Sequence, residues 1–287
     1  MRTDYSINEL CLALGLSRSG YYASKRRPTG VRAEQNQQLL AEIRCVHADR
    51  HLRVYGSPRM THELHDRGLT CSENRVARLM RQAGIRVRPR RAFRPKTTQR
   101  DHAACPSPNH LADAPDPQRP GEQLVSDITY VSTAEGWLYL TIVLDLFSRA
   151  IVGWHLDVSL HAHGVVAAIS HALRGRRILA NAIFHSDRGC QYTSGTLRAF
   201  LPAGWQQSMS ATGCCYDNAF AESCFASIKA ELLPEVGSFE SHQHARRAIF
   251  DYIETFYNRR RKHSSLGYMA PARFLELYFK KQNHHLN

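Results

Sequence analysis

Three acidic residues stand in surroundings that suit chemistry on phosphate esters. Asp127 interrupts a strand-like run, Leu124-Val125-Ser126-Asp127-Ile128-Thr129-Tyr130-Val131. Asp187 follows a second apolar run, Ala182-Ile183-Phe184, inside His185-Ser186-Asp187-Arg188-Gly189-Cys190-Gln191-Tyr192. Glu222 opens a helix-like segment just after Asp217-Asn218-Ala219-Phe220-Ala221. A carboxylate among apolar neighbours is costly unless something pairs with it. Three of them on two strands and a helix suit two hard divalent cations, Mg²⁺ with Mn²⁺ as substitute, because such ions prefer oxygen ligands. Two ions about 3.5–4 Å apart clamp the attacking and leaving oxygens of a phosphoryl transfer. Lys229 follows Glu222 by seven positions, so both project from one helix face. Asp145 is a competing acid, but Leu144-Asp145-Leu146-Phe147-Ser148-Arg149 reads as a turn that Asp145 caps. His185 and Asn218 flank the acids and suit a second layer that orients them. A packed strand-end histidine is an equal reading for His185. Gln191 and Tyr192 are candidates to line a polymer channel.

The elements that must hold these groups can be read from periodicity. Gln123–Thr133, Trp137–Asp145 and Ala150–Val158 read as three strands, with turns at Ala134-Glu135-Gly136 and Phe147-Ser148-Arg149. Val165–Leu173 then reads as a helix, Ala182–Ser186 as a strand, Ser194–Leu201 as a helix and Gln206–Ser210 as a strand. Asn218–Leu233 and His242–Tyr257 read as long helices. This order fits a mixed α/β sheet. The front is different. Residues 6–24 read as two short helices about a turn, and 34–47 as a third helix with Leu39, Leu40 and Ile43 on one stripe. Pro58 opens another helix. Ser72 caps the next, with Val76, Leu79 and Met80 inward, Arg75, Arg78 and Arg81 outward and Gly84 as its stop. Between the two regions, prolines at 106, 108, 115, 117 and 120 among polar residues read as a linker. The expected organisation is therefore a helical region over 1–96, a linker over 97–120 and a mixed-sheet core with C-terminal helices over 121–287.

Charge points to the polymer. The chain of 287 residues carries a formal charge of +13, with 43% hydrophobic and 22% charged residues. Ten basic residues and no acid lie between Arg75 and Arg100, among them Arg86, Arg88, Arg90 and Arg91. A solvated face would mix signs; this stretch reads as a footprint for a polyanion. Six phosphate contacts from it would make log affinity fall by roughly 5 per tenfold rise in salt. An apolar inner stripe with outward arginines fits a helix-turn-helix reader of the major groove in double-stranded DNA. Arg259 and Arg260 begin a second basic cluster, Arg259-Arg260-Arg261-Lys262-His263, suited to phosphate contact or to a helix C-terminus. Eight scattered cysteines without Cys-x-x-Cys suit reduced thiols rather than a disulfide frame or zinc. No apolar run approaches the roughly 18 residues of a membrane span. A cytoplasmic, nucleoid-associated protein without a membrane partner is expected.

The phrases that carry these groups resemble a known family. Tyr55-Gly56-Ser57-Pro58-Arg59, Arg75-Val76-Ala77-Arg78-Leu79-Met80, Ser126-Asp127-Ile128-Thr129-Tyr130, Leu144 through Arg149, His185 through Gly189, Asp217-Asn218-Ala219 with Glu222, and Tyr257-Asn258 through Gly267 stand in family order. Together they resemble the downstream-frame catalytic subunit of two-frame bacterial insertion-sequence transposases, the retroviral-integrase-like DDE group. The resemblance implies an RNase H-like core, with Asp127, Asp187 and Glu222 as a metal-binding triad and Lys229 on the transposon end. It also implies metal-dependent 3′-end cleavage and strand transfer by a homo-oligomer on paired ends, with an upstream-frame protein as partner or fusion. The Asp187–Glu222 step, 222 − 187 = 35 positions, is one shorter than the family's usual one, with the missing residue near Pro202-Ala203-Gly204. Two other classes remain open on sequence: a DNA-binding regulator with an inactive core, and a plain metal-dependent nuclease.

Overall fold

A computed structural model describes residues 5–26, 30–87, 107–112, 114–175, 178–210, 219–232 and 237–284. The chain divides into two compact units, Met1–Val87 and Arg88–Asn287.

In the first unit, α1 (Ile7–Ala13) begins with a capping box in which Ser6 and Glu9 satisfy each other's backbone N–H. It is followed by α2 (Arg18–Arg26) and α3 (Val31–Ala48). Pro58 sits in the first turn of α4 (Ser57–Asp66), where its missing N–H costs nothing. The Ser72 hydroxyl accepts the Arg75 N–H to start α5 (Glu73–Gln82). Leu39, Ile43 and Val46 of α3 are buried, as are Met60 and Leu64 of α4 and Val76, Leu79 and Met80 of α5. Each such side chain contributes about 1.5–3 kcal/mol by leaving water. These stripes bring α3, α4 and α5 together as a three-helix packing.

The second unit is built on a five-stranded sheet. Its strands are β1 (Gln123–Thr133), β2 (Gly136–Asp145), β3 (Ile151–Asp157), β4 (Ile183–Ser186) and β5 (Gln206–Met209), in the order β3-β2-β1-β4-β5. β1, β2 and β3 form an antiparallel meander, while β1, β4 and β5 run parallel. The helix α6 (Ala162–Gly175) supplies the long crossover that a parallel return requires. It buries Val165, Ala168, Ile169 and Ala172 against Leu124, Val143, Val152 and Phe184 of the sheet. Gly153 makes this close approach possible: a Cβ there would collide with the Ala168 carbonyl oxygen. The short helices α7 (Cys190–Thr193) and α8 (Gly195–Phe200) join β4 to β5. Beyond the sheet come α9 (Ala219–Leu232), α10 (His242–Phe250) and α11 (Pro271–His284).

Three expectations need correction. The helix expected from His242 to Tyr257 ends as such at Phe250 and continues as a π-helix over Asp251–Tyr257. Tyr252, Ile253, Phe256 and Tyr257 of this stretch are buried together. The helix α11 was not anticipated; its Phe274, Leu277 and Tyr278 are half buried. Finally, the end of the expected linker is part of the second unit. The Pro108 carbonyl accepts the Met209 N–H, and the Ser208 hydroxyl accepts the Leu111 N–H. An edge strand such as β5 has unpaired donors, and a proline-rich stretch can supply acceptors without donors of its own.

Candidate active site

β1 and β4 bring the first two acids together. Their parallel register pairs Gln123 with Ile183, Leu124 with Phe184 and Val125 with His185, a constant offset of 60 positions. Two residues further along, the same offset aligns Asp127 with Asp187, which stands just past the end of β4. The end of a parallel strand is where α/β sheets expose side chains to a ligand. The Asp127 carboxylate accepts its neighbour Ile128's N–H at 2.7 Å, and Asp187 accepts the Gly189 N–H at 3.0 Å. Both aspartates are partly covered rather than open to water.

Electrostatics shows what else converges here. The Asp127 carboxyl is pushed from 3.8 up to about 8, chiefly by burial and then by the Asp187 carboxylate. The Ile128 N–H opposes this; the Glu222 charge adds to it, and the Lys229 ammonium again opposes it. Groups from β1, the end of β4 and α9 therefore share one electrostatic environment. Lys229 is half buried, and burial lowers its ammonium while Asp127 raises it. Glu222 is exposed on the first turn of α9. Among the described residues, no three His, Cys, Asp or Glu side chains already stand as a closed metal-holding group. An exposed glutamate has the rotamer freedom to complete one.

A raised folded-state pKa fixes the sign of a pH effect. The folded chain favours protonated Asp127, so its contribution to stability is full below about pH 4 and lost as pH rises toward 8. In buffer with EDTA, melting temperature should fall between about pH 5 and pH 8.5 more steeply than in Asp127→Asn, which cannot ionise. Parallel profiles for the two proteins would contradict a buried, like-charge-coupled Asp127.

The surrounding candidates divide. Tyr192, expected along the channel, is fully buried with its hydroxyl 2.9 Å from that of Ser126. Burial, then Asp127 and Asp187, push its phenol well above the ordinary value. Gln191 donates to the Leu160 carbonyl. Asp145 is buried and caps its turn, accepting N–H groups from Gly121 and Ser148 and the Ser148 hydroxyl. His185 is buried with its ring nitrogens at the hydroxyls of Ser208 and Ser210, ties that hold β5 against β4. Asn218, Arg88, Arg90 and Arg91 lie outside the described residues.

Among the basic candidates, Arg78, Arg81 and Arg86 are exposed. Arg75, expected outward, is half buried. It donates through Nε to the Asn36 side chain at 2.8 Å, tying α5 to α3. Arg259 and Arg260 are exposed, but Arg261, Lys262 and His263 are buried. Arg261 makes a two-point ion pair with Glu231 of α9, with both nitrogens at 2.7 Å. Sequence reasoning passed over two side chains at α9. Glu231 carries no local signal, whereas Arg149 stood in view at the end of the Leu144–Arg149 phrase.

A mixed sheet with paired aspartates at β1 and β4 and a glutamate-bearing helix beside them has the layout of an integrase catalytic core, the scaffold of polynucleotidyl transferases. Integrase core domain profiles match residues 117–215 and 203–271, and an HTH-like domain profile matches residues 34–93. The chain is 38% identical over 275 residues to transposase InsF for insertion sequence IS3A of Escherichia coli (strain K12), covering 95% of each. It is 37% identical to the insertion element IS600 uncharacterized 31 kDa protein of Shigella sonnei, covering 94% of this chain and 98% of that one. The HTLV-2 integrase catalytic core domain is a weak structural likeness, at TM-score 0.38 and 15% identity over 51% of this chain and 92% of that one. The chain belongs to the family of insertion-sequence transposases with an integrase core that includes InsF of IS3. It is a transposase, an enzyme of DNA transposition. Among its described residues no helix is long and apolar enough to cross a membrane.

Proposed function

We propose that Asp127, Asp187 and Glu222 are the carboxylates of a centre that hydrolyses the phosphodiester at a transposon 3′ end and then joins the freed 3′-OH to target DNA. One observation carries this reading: the β1–β4 register sets Asp127 beside Asp187, and α9 brings Glu222 and Lys229 into the electrostatic field of that pair. A carboxyl pushed to about 8 by burial and like charge is what a divalent cation relieves, and an all-oxygen donor set fits Mg²⁺ or Mn²⁺. Asp127, Asp187 and Glu222 would hold two such ions, which supply charge neutralisation and in-line alignment at the phosphate. Burial and like charge favour the protonated form of Asp127, and a cation at the site would favour its carboxylate. Lys229, drawn toward Asp127, offers a cation to the phosphate of the terminal nucleotide. A protein–DNA ester is not part of the reading. Tyr192, whose phenol shares the field of Asp127 and Asp187, is buried, hydrogen-bonded and held protonated.

Recognition would rest on the first unit, with α5 presenting Arg78 and Arg81 to base edges and the run through Arg86, Arg88, Arg90 and Arg91 following the backbone. Arg75 then acts as a clamp on α3. Arg259 and Arg260 would add phosphate contacts. A homo-oligomer on paired ends, acting beside the bacterial nucleoid with an upstream-frame protein, is the working assembly.

The test is a pre-cleaved, labelled end incubated with the protein, its upstream-frame partner and Mg²⁺ or Mn²⁺. Joined products are expected, and Lys229→Ala should depress joining more than Mn²⁺-supported nicking. Bound ends that are nicked but never joined would make the chain a plain nuclease. Bound ends left intact would make it a DNA-binding regulator.

A further inference from the structure

Arg149 carries two unusual features at once. Its backbone has φ +58°, a left-handed conformation uncommon for a side chain of this size. Its Nη1 is buried and has no hydrogen-bond partner. Strain of this kind persists only where the surroundings impose it, and it concentrates where position matters to function. Here the turn is imposed: Asp145 holds it through the Arg149 and Ser148 N–H groups. The guanidinium it delivers lies 4.1 Å from the ring centroid of Phe220. Phe220 is in the first turn of α9, two residues before Glu222, and is 43% exposed.

The far end of α9 is fixed by different means. Arg261 grips Glu231 with two nitrogens, and Tyr252 donates its hydroxyl to the same carboxylate at 2.6 Å. Midway, the Cys224 thiol donates to the Tyr257 hydroxyl. The buried end is thus locked by charge and hydrogen bonds, whereas among the described residues the first turn, which carries Glu222, is seated by the buried Ala221 and by a face-on contact of Phe220 with Arg149.

We propose that Arg149 is a positioning residue that, through the ring of Phe220, fixes the first turn of α9 and so sets the reach of Glu222 toward the divalent cations. This rests on the reading of Asp127, Asp187 and Glu222 as the metal-holding carboxylates. The stack lets α9 keep its buried face on the sheet and holds the backbone of the turn from which the exposed Glu222 side chain reaches. Without it, the first turn can fray even though Arg261 and Glu231 still hold the other end. A helix terminus without such support loses order within its first turn.

The experiment uses the full chain and compares Phe220→Ala, Phe220→Trp, Arg149→Lys and Glu222→Gln with the unmodified protein. Mn²⁺ binding is measured without DNA by calorimetry, alongside thermal melting in EDTA, duplex binding and end cleavage across Mn²⁺ concentrations. Phe220→Ala should melt close to the parent yet bind Mn²⁺ about tenfold more weakly, the scale of one lost cation–π contact intermediate between exposed and buried. Its cleavage should recover at raised Mn²⁺, which a general folding defect would not do. Phe220→Trp, the better ring for a cation, should bind like the parent. Arg149→Lys should fall in between, since an ammonium cannot lie flat on the ring. Parent-like Mn²⁺ affinity in Phe220→Ala, with Glu222→Gln clearly weakened, would overturn the proposal alone. Parent-like affinity in Glu222→Gln would overturn the assignment of the carboxylates, and this proposal with it.

Discussion

Replacing Asp187 by asparagine should abolish cleavage of a duplex carrying the transposon end while leaving its binding nearly intact. The amide is the same size and keeps one oxygen, which can still accept the Gly189 N–H, so the loop after β4 should keep its shape. What disappears is a full negative charge beside Asp127. Ions held at such a site contribute several kcal/mol of charge stabilisation to the transition state, and each 1.4 kcal/mol is a factor of ten. The cleavage rate should therefore fall by about 10³-fold or more. Binding should survive because its free energy comes largely from phosphate contacts made elsewhere by the basic side chains. The same substitution removes the leading like charge on Asp127, so the Asp127 carboxyl should ionise at lower pH than about 8. Gel-based cleavage in Mg²⁺ beside a binding titration on the same duplex checks both halves. Strand cleavage at the parent rate would remove Asp187 from the catalytic centre.

Truncating Glu231 should be the most damaging change away from the carboxylates. Glu231 and Arg261 are only 7% and 3% exposed in their side chains. Burial works against the guanidinium charge, but the hydrogen bonds and charge of Glu231 outweigh it and raise Arg261 above its ordinary value. Arg261 cannot shed its proton when its partner leaves. Glu231→Ala would strand a buried cation and leave the Tyr252 hydroxyl without this acceptor, at a cost of about 3–5 kcal/mol. For a unit of this size, each kcal/mol shifts the melting temperature by about 2–4 °C, so a fall of roughly 10 °C is expected. The double change Glu231→Leu with Arg261→Met should be milder than Glu231→Ala, because no charge is left unpaired. Calorimetry of the three proteins decides. A shift under about 3 °C in Glu231→Ala would mean that water reaches the pair freely.

Much of this protein is legible in local words. The apolar and β-branched run in Gln123–Thr133 and the apolar run before Asp187 announce strands, because such side chains suit a pleated, buried sheet. The Ser72 cap, the inward Val76, Leu79 and Met80 and the stop at Gly84 announce α5 for the same kind of reason. The carboxylates at 127, 187 and 222 stood out among 25 acidic residues only through the family-like words around them, whereas the strands and the helix cap are marked by pattern. These are short-range constraints, and periodicity records them.

Which way a side chain turns was decided by distant contacts. Arg75 looked like an outward arginine until Asn36, 39 positions earlier, took its Nε. Tyr192 looked like a channel residue, yet Ser126 sits beneath it with a hydroxyl at 2.9 Å. Arg261 looked like one more basic residue in a solvated cluster, and its carboxylate lies 30 positions back on α9. A sequence pattern specifies the buried face of one element. Whether an arginine on its margin meets water, an amide or a buried carboxylate depends on which other element docks there, and the tertiary packing alone determines that.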